Sequence, residues 1–254
     1  MCLIVFAWQS HPEYKLVLAA NRDEFHNRPS QPLHWWPDEP DVLAGRDLQA
    51  GGSWLAAHRR GRFVTVTNYR EQQTPGRKLS SRGELVTDFV SSNRSAADYA
   101  DAITGNKYAG FNFLATDDDE LWYVSNRGDK PTRLSAGVYG LANASINTPW
   151  PKTVSGRTKL RALIESNTVN ETTLMQVMAD RTMSSVADVD AGHLPFELRR
   201  ALTAPFIVSP DYGTRCSTTV LWSHTGKVSL SERRFDREGK LHGESRFSYS
   251  IDHA

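Results

Sequence analysis

Two apolar runs open the chain. Residues 2–7 (Cys-Leu-Ile-Val-Phe-Ala) and 16–20 (Leu-Val-Leu-Ala-Ala) are continuous rather than alternating, and Ser10-His11-Pro12-Glu13 lies between them. Continuous apolar runs of this length suit strands covered on both faces. The Pro-containing tetrapeptide is turn chemistry. Residues 1–9 and 14–21 are therefore expected to form a hairpin. Arg62 to Asn68 alternates well enough for a further strand. Helices are expected at Ser80–Val90 and Ser95–Ile103. Ser81 and Glu84 have capping-box spacing, and Leu85, Val86, Phe89 and Val90 form one apolar stripe.

Short strands follow at 110–115, 121–125 and 138–143, broken at Thr116–Asp119 and Asn126–Asp129. Lys159, Leu160, Leu163 and Ile164 fit one helix, and Leu174, Val177 and Met178 another. Residues 184–205 read as irregular, with a short helix at Phe196–Ala201. The chain ends in strands at 218–222, 228–234 and 245–249, the first two joined at Thr225-Gly226. Residues 27–60, rich in Pro, Trp, Gly and Asp, read as long loops, and Glu71 to Arg77 as a polar stretch. No linker and no repeat interrupts this order. It predicts one domain, 1–254, of the α+β class, with two mainly antiparallel sheets between helical layers.

Composition narrows the partners. The chain has 254 residues, 39% hydrophobic and 23% charged, with a net charge of +1. A chain this long buries a sizeable core. Near-neutral charge, with no basic stripe, gives no case for nucleic acid or an anionic membrane. No stretch approaches the length of a membrane span, and no basic leader precedes the first apolar run. Cys2 and Cys216 are the two cysteines. They make no disulfide framework and no metal spacing, so a cytoplasmic, reducing compartment is expected. The eight histidines are scattered, and no cofactor or metal is expected.

The candidate chemistry gathers at one end of the hairpin. Cys2 follows the initiator Met1, so removal of Met1 would put a thiol and a free α-amine on one residue. The ordinary structural reading is a small hydrophobe opening a buried strand. Asn21-Arg22-Asp23-Glu24 closes the second strand with four polar residues. On an extended chain Asn21 and Asp23 face one way, Arg22 and Glu24 the other. Antiparallel pairing brings them beside Cys2, where Asp23 would hold the amine and Arg22 would favour the thiolate. Asn68 and Asn143 each end a strand, where an amide can serve an oxyanion or merely form a turn. Arg215 begins a late strand. Trp54, Arg70 and Arg46 are candidates for shaping a pocket, while Trp35-Trp36 and Phe111/Phe113 read as packing.

Met1-Cys2-Leu3-Ile4, Asn21-Arg22-Asp23-Glu24, Gly45-Arg46-Asp47, Gly51-Gly52-Ser53-Trp54-Leu55, Thr67-Asn68-Tyr69-Arg70-Glu71, Gly110-Phe111-Asn112, Ser125-Asn126-Arg127, Pro149-Trp150-Pro151-Lys152 and Tyr212-Gly213-Thr214-Arg215 follow in order. Together they resemble the NRDE family of Transport and Golgi organisation protein 2-like chains over nearly the whole length. That family is similar in layout to the cysteine branch of the N-terminal-nucleophile hydrolases. The resemblance implies a four-layer αββα sandwich and hydrolysis of an amide or ester of a small apolar acyl group through an acyl-thioester on Cys2. Its catalytic residues fall on Cys2, Arg22, Asp23, Asn68, Asn143 and Arg215, with Asn21, Glu24, Trp54 and Arg70 as binding residues. One departure stands out: Arg22 and Asp23 are adjacent, whereas the acylase pattern separates them, so Asn21 can share the Asp23 face instead. The family association also leaves a second reading, a non-catalytic carrier of haem, lipid or acyl thioester on the same fold. Either way the expected partner is a small-molecule or lipid-like ligand.

Overall fold

The computed structural model describes residues 2–71, 79–117, 119–185 and 195–252. Most of the expected polar stretch 71–77, and part of 184–205, lie outside the described residues. The opening hairpin is β1 (Cys2–Trp8) and β2 (Tyr14–Phe25), paired antiparallel with Cys2 opposite Arg22 and Trp8 opposite Leu16. β2 does not stop at Asn21: the four polar residues extend the strand rather than following it.

Residues 27–60 are not long loops. They hold β3 (Ser30–Trp35), β4 (Val42–Asp47) and β5 (Leu55–His58). These strands are short, and β3 pairs with β4 through an irregularity between Gln31 and His34, around Pro32. Pro has no N–H for a ladder, so it sits at an edge or bulge. Such a strand has too few alternating positions to show in the sequence. At Gly45 an added Cβ would lie 2.4 Å from the Trp54 ring, so the glycine leaves room for an aromatic instead of breaking the strand.

β6 (Arg62–Asn68) precedes α1 (Arg82–Ser91), α2 (Ala96–Ala102) and a 3-10 turn at Gly105–Lys107. Ser81 and Glu84 do form the capping box at the start of α1. Next come β7 (Phe111–Thr116), β8 (Leu121–Ser125), β9 (Thr132–Leu134) and β10 (Gly137–Leu141). Three helices, α3 (Pro151–Glu165), α4 (Glu171–Met178) and α5 (Phe196–Ala201), precede β11 (Tyr212–Ser223), β12 (Lys227–Phe235) and β13 (Leu241–Ser250).

One sheet has the order β10-β1-β2-β11-β12-β13 and the other β3-β4-β5-β6-β7-β8-β9. Period-2 side-chain alternation then divides the hydrophobic residues into three layers. Ile4, Phe6, Trp8, Leu16 and Leu18 meet Leu43, Leu55, Phe63 and Leu114 between the sheets. Leu3, Val5, Val17 and Ala19 face Leu160, Leu174 and Met178 of α3 and α4. The outer face of the second sheet packs Val64, Phe111 and Phe113 on Val86 and Phe89 of α1. This is an αββα sandwich. β1 and β2 are continuous apolar runs because both of their faces are covered. Each fully buried side chain contributes about 1.5–3 kcal/mol. Trp35, Trp36, Phe111 and Phe113 all take packing positions, as the ordinary reading has it.

Candidate active site

The open end of the first hairpin carries the site. Residues paired across antiparallel strands point the same way, so Cys2, its partner Arg22, and Cys216 beyond it share the inter-sheet face. Leu3, Asn21 and Ser217 take the helical face. Arg22 is buried, and its guanidinium lies 4.2 Å from the Trp54 ring. Its Nη2 is 3.9 Å from Asp47, and Nη1 is buried without a hydrogen-bond partner. Asp47 also accepts from Arg28 Nε at 2.7 Å. In front of Cys2 lies a cavity of about 280 Å³ lined by Arg22, Glu24, Trp54, Asn68 and Arg82, among others. Its walls are largely polar and charged, with Trp54, Val66 and Leu79 as the larger apolar surfaces.

Asp23 is 2% exposed and sits at the same end, where β11 meets β2. Thr214 Oγ1 donates to its Oδ1 at 2.7 Å, and Thr214 Oγ1 accepts from the Ile207 N–H at 2.9 Å. The Tyr212 hydroxyl donates to the Asp23 carbonyl at 2.7 Å. Burial pushes the Asp23 carboxyl up to about 6, against the positive chain terminus, Lys152, the Thr214 hydroxyl and Arg22, which all pull it down. Burial likewise pushes the Cys2 thiol up. The positive terminus, the Asp23 backbone N–H and Arg22 oppose that rise without overcoming it. The thiol is therefore not a resting thiolate, and Arg22 alone does not make it one. A base must take its proton.

Asn143 meets the backbone nitrogen of Cys2. The Cys2 nitrogen donates to Asn143 Oδ1 at 3.3 Å, and Asn143 Nδ2 donates to the Asn68 carbonyl at 2.8 Å. The Arg70 N–H donates to the Asn143 carbonyl at 2.7 Å. This segment is clamped from the opposite sheet: Thr67 Oγ1 donates to the Ala142 carbonyl at 2.7 Å, and Asn112 Nδ2 to the Ala144 carbonyl at 3.1 Å. Tyr123 in turn holds Asn112 Oδ1 at 2.8 Å.

The remaining candidates divide. Glu24, Trp54 and Asn68 line the cavity with Cys2, Arg22 and Asp23. Asn21 does not. Its Nδ2 donates to the Met178 and Pro205 carbonyls at 2.9 and 2.8 Å, and its Oδ1 accepts from Ser217 at 2.6 Å, so it ties the helical layer to the sheet. Arg215 lies at a bulge between Thr214 and Cys216, and a bulge re-aims its side chain. Its Nη1 donates to the carbonyls of Phe25, His26 and Arg28 at 2.9–3.2 Å, so it fastens the end of β2 and lines a smaller cavity beside Cys216 rather than the Cys2 pocket. Arg46 is bound by Asp38 through both terminal nitrogens and stacks on Trp36, away from the site. Sequence reasoning missed Arg82, Arg28, Asp47, Thr214 and Lys152. Asp47, Thr214 and Lys152 left a trace, inside Gly45-Arg46-Asp47, Tyr212-Gly213-Thr214-Arg215 and Pro149-Trp150-Pro151-Lys152.

No group of three or more His, Cys, Asp or Glu side chains suited to a metal ion occurs among the described residues. Among them, too, no helix is long and apolar enough to cross a membrane. A hollow of about 380 Å³ lies behind α2, but its Asn126 amide is spent on backbone groups of Gly105 and Phe111.

Among solved structures, the chain is similar to a mutant (C2A) conjugated bile acid hydrolase from Clostridium perfringens. The TM-score is 0.52 and the identity 8%, over 99% of this chain and 97% of that one. It is also similar to a Caenorhabditis elegans ortholog of N-acylethanolamine-hydrolyzing acid amidase, with TM-score 0.51 and 9% identity over 87% and 92%. At such identities the likeness speaks for the fold, that of N-terminal-nucleophile hydrolases. Among sequences, it is 32% identical over 269 residues to the Homo sapiens Transport and Golgi organization protein 2 homolog, covering 97% of each chain. The Mus musculus homolog is 34% identical over 257 residues, 92% of each. The family model for Transport and Golgi organisation 2 matches residues 1–237. By that match and these relatives, the chain belongs to the Transport and Golgi organisation 2 family.

Proposed function

We propose that this protein is a cysteine N-terminal-nucleophile hydrolase that cleaves an amide or ester of a small acyl group through an acyl-thioester on Cys2. Cys2 carries the reading. It ends a strand at the mouth of a cavity, opposite Arg22, with its own nitrogen on Asn143. Once Met1 is removed, that nitrogen is an α-amine of ordinary pKa roughly 7.7–8.0, neutral often enough near pH 7 to take the proton of the raised thiol. Sγ then attacks the substrate carbonyl, and the Asn68 side chain, which lines the cavity, donates to the oxyanion. Collapse returns the amine's proton to the leaving nitrogen or oxygen. Water, deprotonated by the same amine, releases the acid and restores the thiol. Asn143 orients the amine and Asp23 holds its charged form. The polar walls favour an acyl group with hydrogen-bonding substituents over a bare hydrocarbon.

The test is turnover of a panel of acyl amides and esters by Cys2→Ala and Cys2→Ser. Hydrolysis that Cys2→Ala abolishes supports the reading, and undiminished turnover in Cys2→Ala removes it. The raised thiol favours a second reading, in which the pocket holds a haem, lipid or acyl thioester without cutting it. Saturable binding that survives Cys2→Ala, with no turnover by the native protein, would establish that instead.

A further inference from the structure

Lys152 is 2% exposed, and its Nζ has no hydrogen-bond partner among the described residues. Lysine is almost never fully buried unless paired, and its long stem normally carries the ammonium to water. Lys152 also occupies the first turn of α3, whose N-cap Trp150 offers no side-chain cap. The positive end of the helix dipole disfavours a cation there. Desolvation and dipole both count against this residue, so something at the site must hold it.

The helix cannot slide to release it. An added Cβ at Gly156 would lie 2.7 Å from Val5 Cγ1, and one at Gly140 would lie 2.5 Å from Thr153 Cγ2, so α3 is seated directly on β1 and β10. The charged and titratable groups that act on the amine are Asp23 on β2, Cys2 on β1 and Arg70 after β6, with Asp23 the strongest. Acting on Asp23 in turn are the positive chain terminus, Lys152, the Thr214 hydroxyl and Arg22. Burial draws the lysine's pKa down, and Asp23 and Cys2 draw it back.

We infer that Lys152 is a positioning residue of this site, a buried positive charge against which Asp23 carries its negative one at the Cys2 end of the sheet. This deepens the hydrolase reading and rests on Asp23 acting on the Cys2 amine. Replacing a buried ion pair as a whole by apolar side chains is often neutral or stabilising, so the fold alone gives no reason to keep both Lys152 and Asp23 here. Lys152 and Asp23 thus lower the stability of the end of the sandwich that carries Cys2.

The experiment is a ¹³Cγ-aspartate NMR titration of the full chain, with Asp23 assigned by loss of its signal in Asp23→Asn. In the native protein Asp23 should titrate near 6. In Lys152→Met its midpoint should rise by about one unit, a tenfold change in the protonation equilibrium, and the variant should lose more stability at pH 8, where Asp23 is charged without its partner, than at pH 4. A merely structural lysine would leave the midpoint in place and change the melting temperature equally at pH 8 and pH 4, and that result overturns the inference. Should Lys152→Met not fold, Lys152→Gln reads the same shift. Failure of both to fold also overturns it, since the amine would then be a prop of the fold. The result is separate from hydrolysis: undiminished turnover in Cys2→Ala would end the hydrolase reading and leave this titration untouched.

Discussion

At the scale of single residues, Asp23 shows what the site costs. Its carboxyl is raised from 3.8 to about 6. The folded state therefore binds this proton more tightly than the unfolded chain does. The linked stability is full below about pH 4 and is lost as pH rises through 6, a difference of about 3 kcal/mol. Asp23→Asn removes that loss. It should melt above the native protein at pH 8, with the gap closing toward pH 4, while turnover falls. A variant that melts lower at pH 8 would contradict this account of Asp23. The cysteines give a second prediction. Cys216 is 4% exposed and its thiol is pushed well above the usual range by burial. Brief iodoacetamide treatment of the native protein should label Cys2 alone in a peptide map, and both cysteines in denaturant. The two thiols flank Arg22 from neighbouring strands. Two strand spacings place their Cα atoms about 9–10 Å apart, too far for a disulfide, so oxidation should leave them unlinked.

Among the elements, α3 sets the depth of the site. Gly156→Ala adds helix propensity of up to ~1 kcal/mol, but its Cβ meets Val5 Cγ1 at 2.7 Å. Overpacking of this kind costs about 1–3 kcal/mol, so the clash wins. A lower urea midpoint is expected, restored in part by Val5→Ala, and a higher midpoint for Gly156→Ala alone would show that α3 is loosely seated. Legibility also varied by element. The hairpin β1–β2, the capping box of α1 and the short helix α5 could be read because each has a local cause: a continuous apolar run, a Ser–Glu spacing, a brief periodic stretch. β3, β4 and β5 could not. Their register depends on Trp54 filling the space above Gly45 and on a bulge around Pro32, which are contacts between elements. The same limit applied at the site. Cys2 beside Arg22 followed from hairpin pairing alone, whereas the charge of Lys152 acts on Asp23 through the packing of a helix 129 positions downstream, which no local spacing records.

On the scale of the whole molecule, the two sheets meet at the site through a polar clamp. Thr67 on one sheet holds the Ala142 carbonyl just before Asn143, which holds the Cys2 nitrogen. Thr67→Val removes that short bond and leaves the buried Ala142 carbonyl to the longer one from Asn112 Nδ2 at 3.4 Å, a loss of about 1–3 kcal/mol. It should lower the melting temperature and slow Cys2 alkylation together, and alkylation at the native rate would uncouple the clamp from the thiol. The sequence motifs around Asn68 and Asn143 pointed to this junction but not to its wiring, since Asn143 spends its amide on the backbone of Cys2 and Asn68. The central claim is that Cys2 attacks with its own amine as base, and intact-mass spectrometry of the protein quenched during turnover tests it most directly. The predicted species lacks Met1 and carries one acyl group, mapped to Cys2 and removed by hydroxylamine. A protein that turns over substrate while retaining Met1, with no adduct on Cys2, would contradict it.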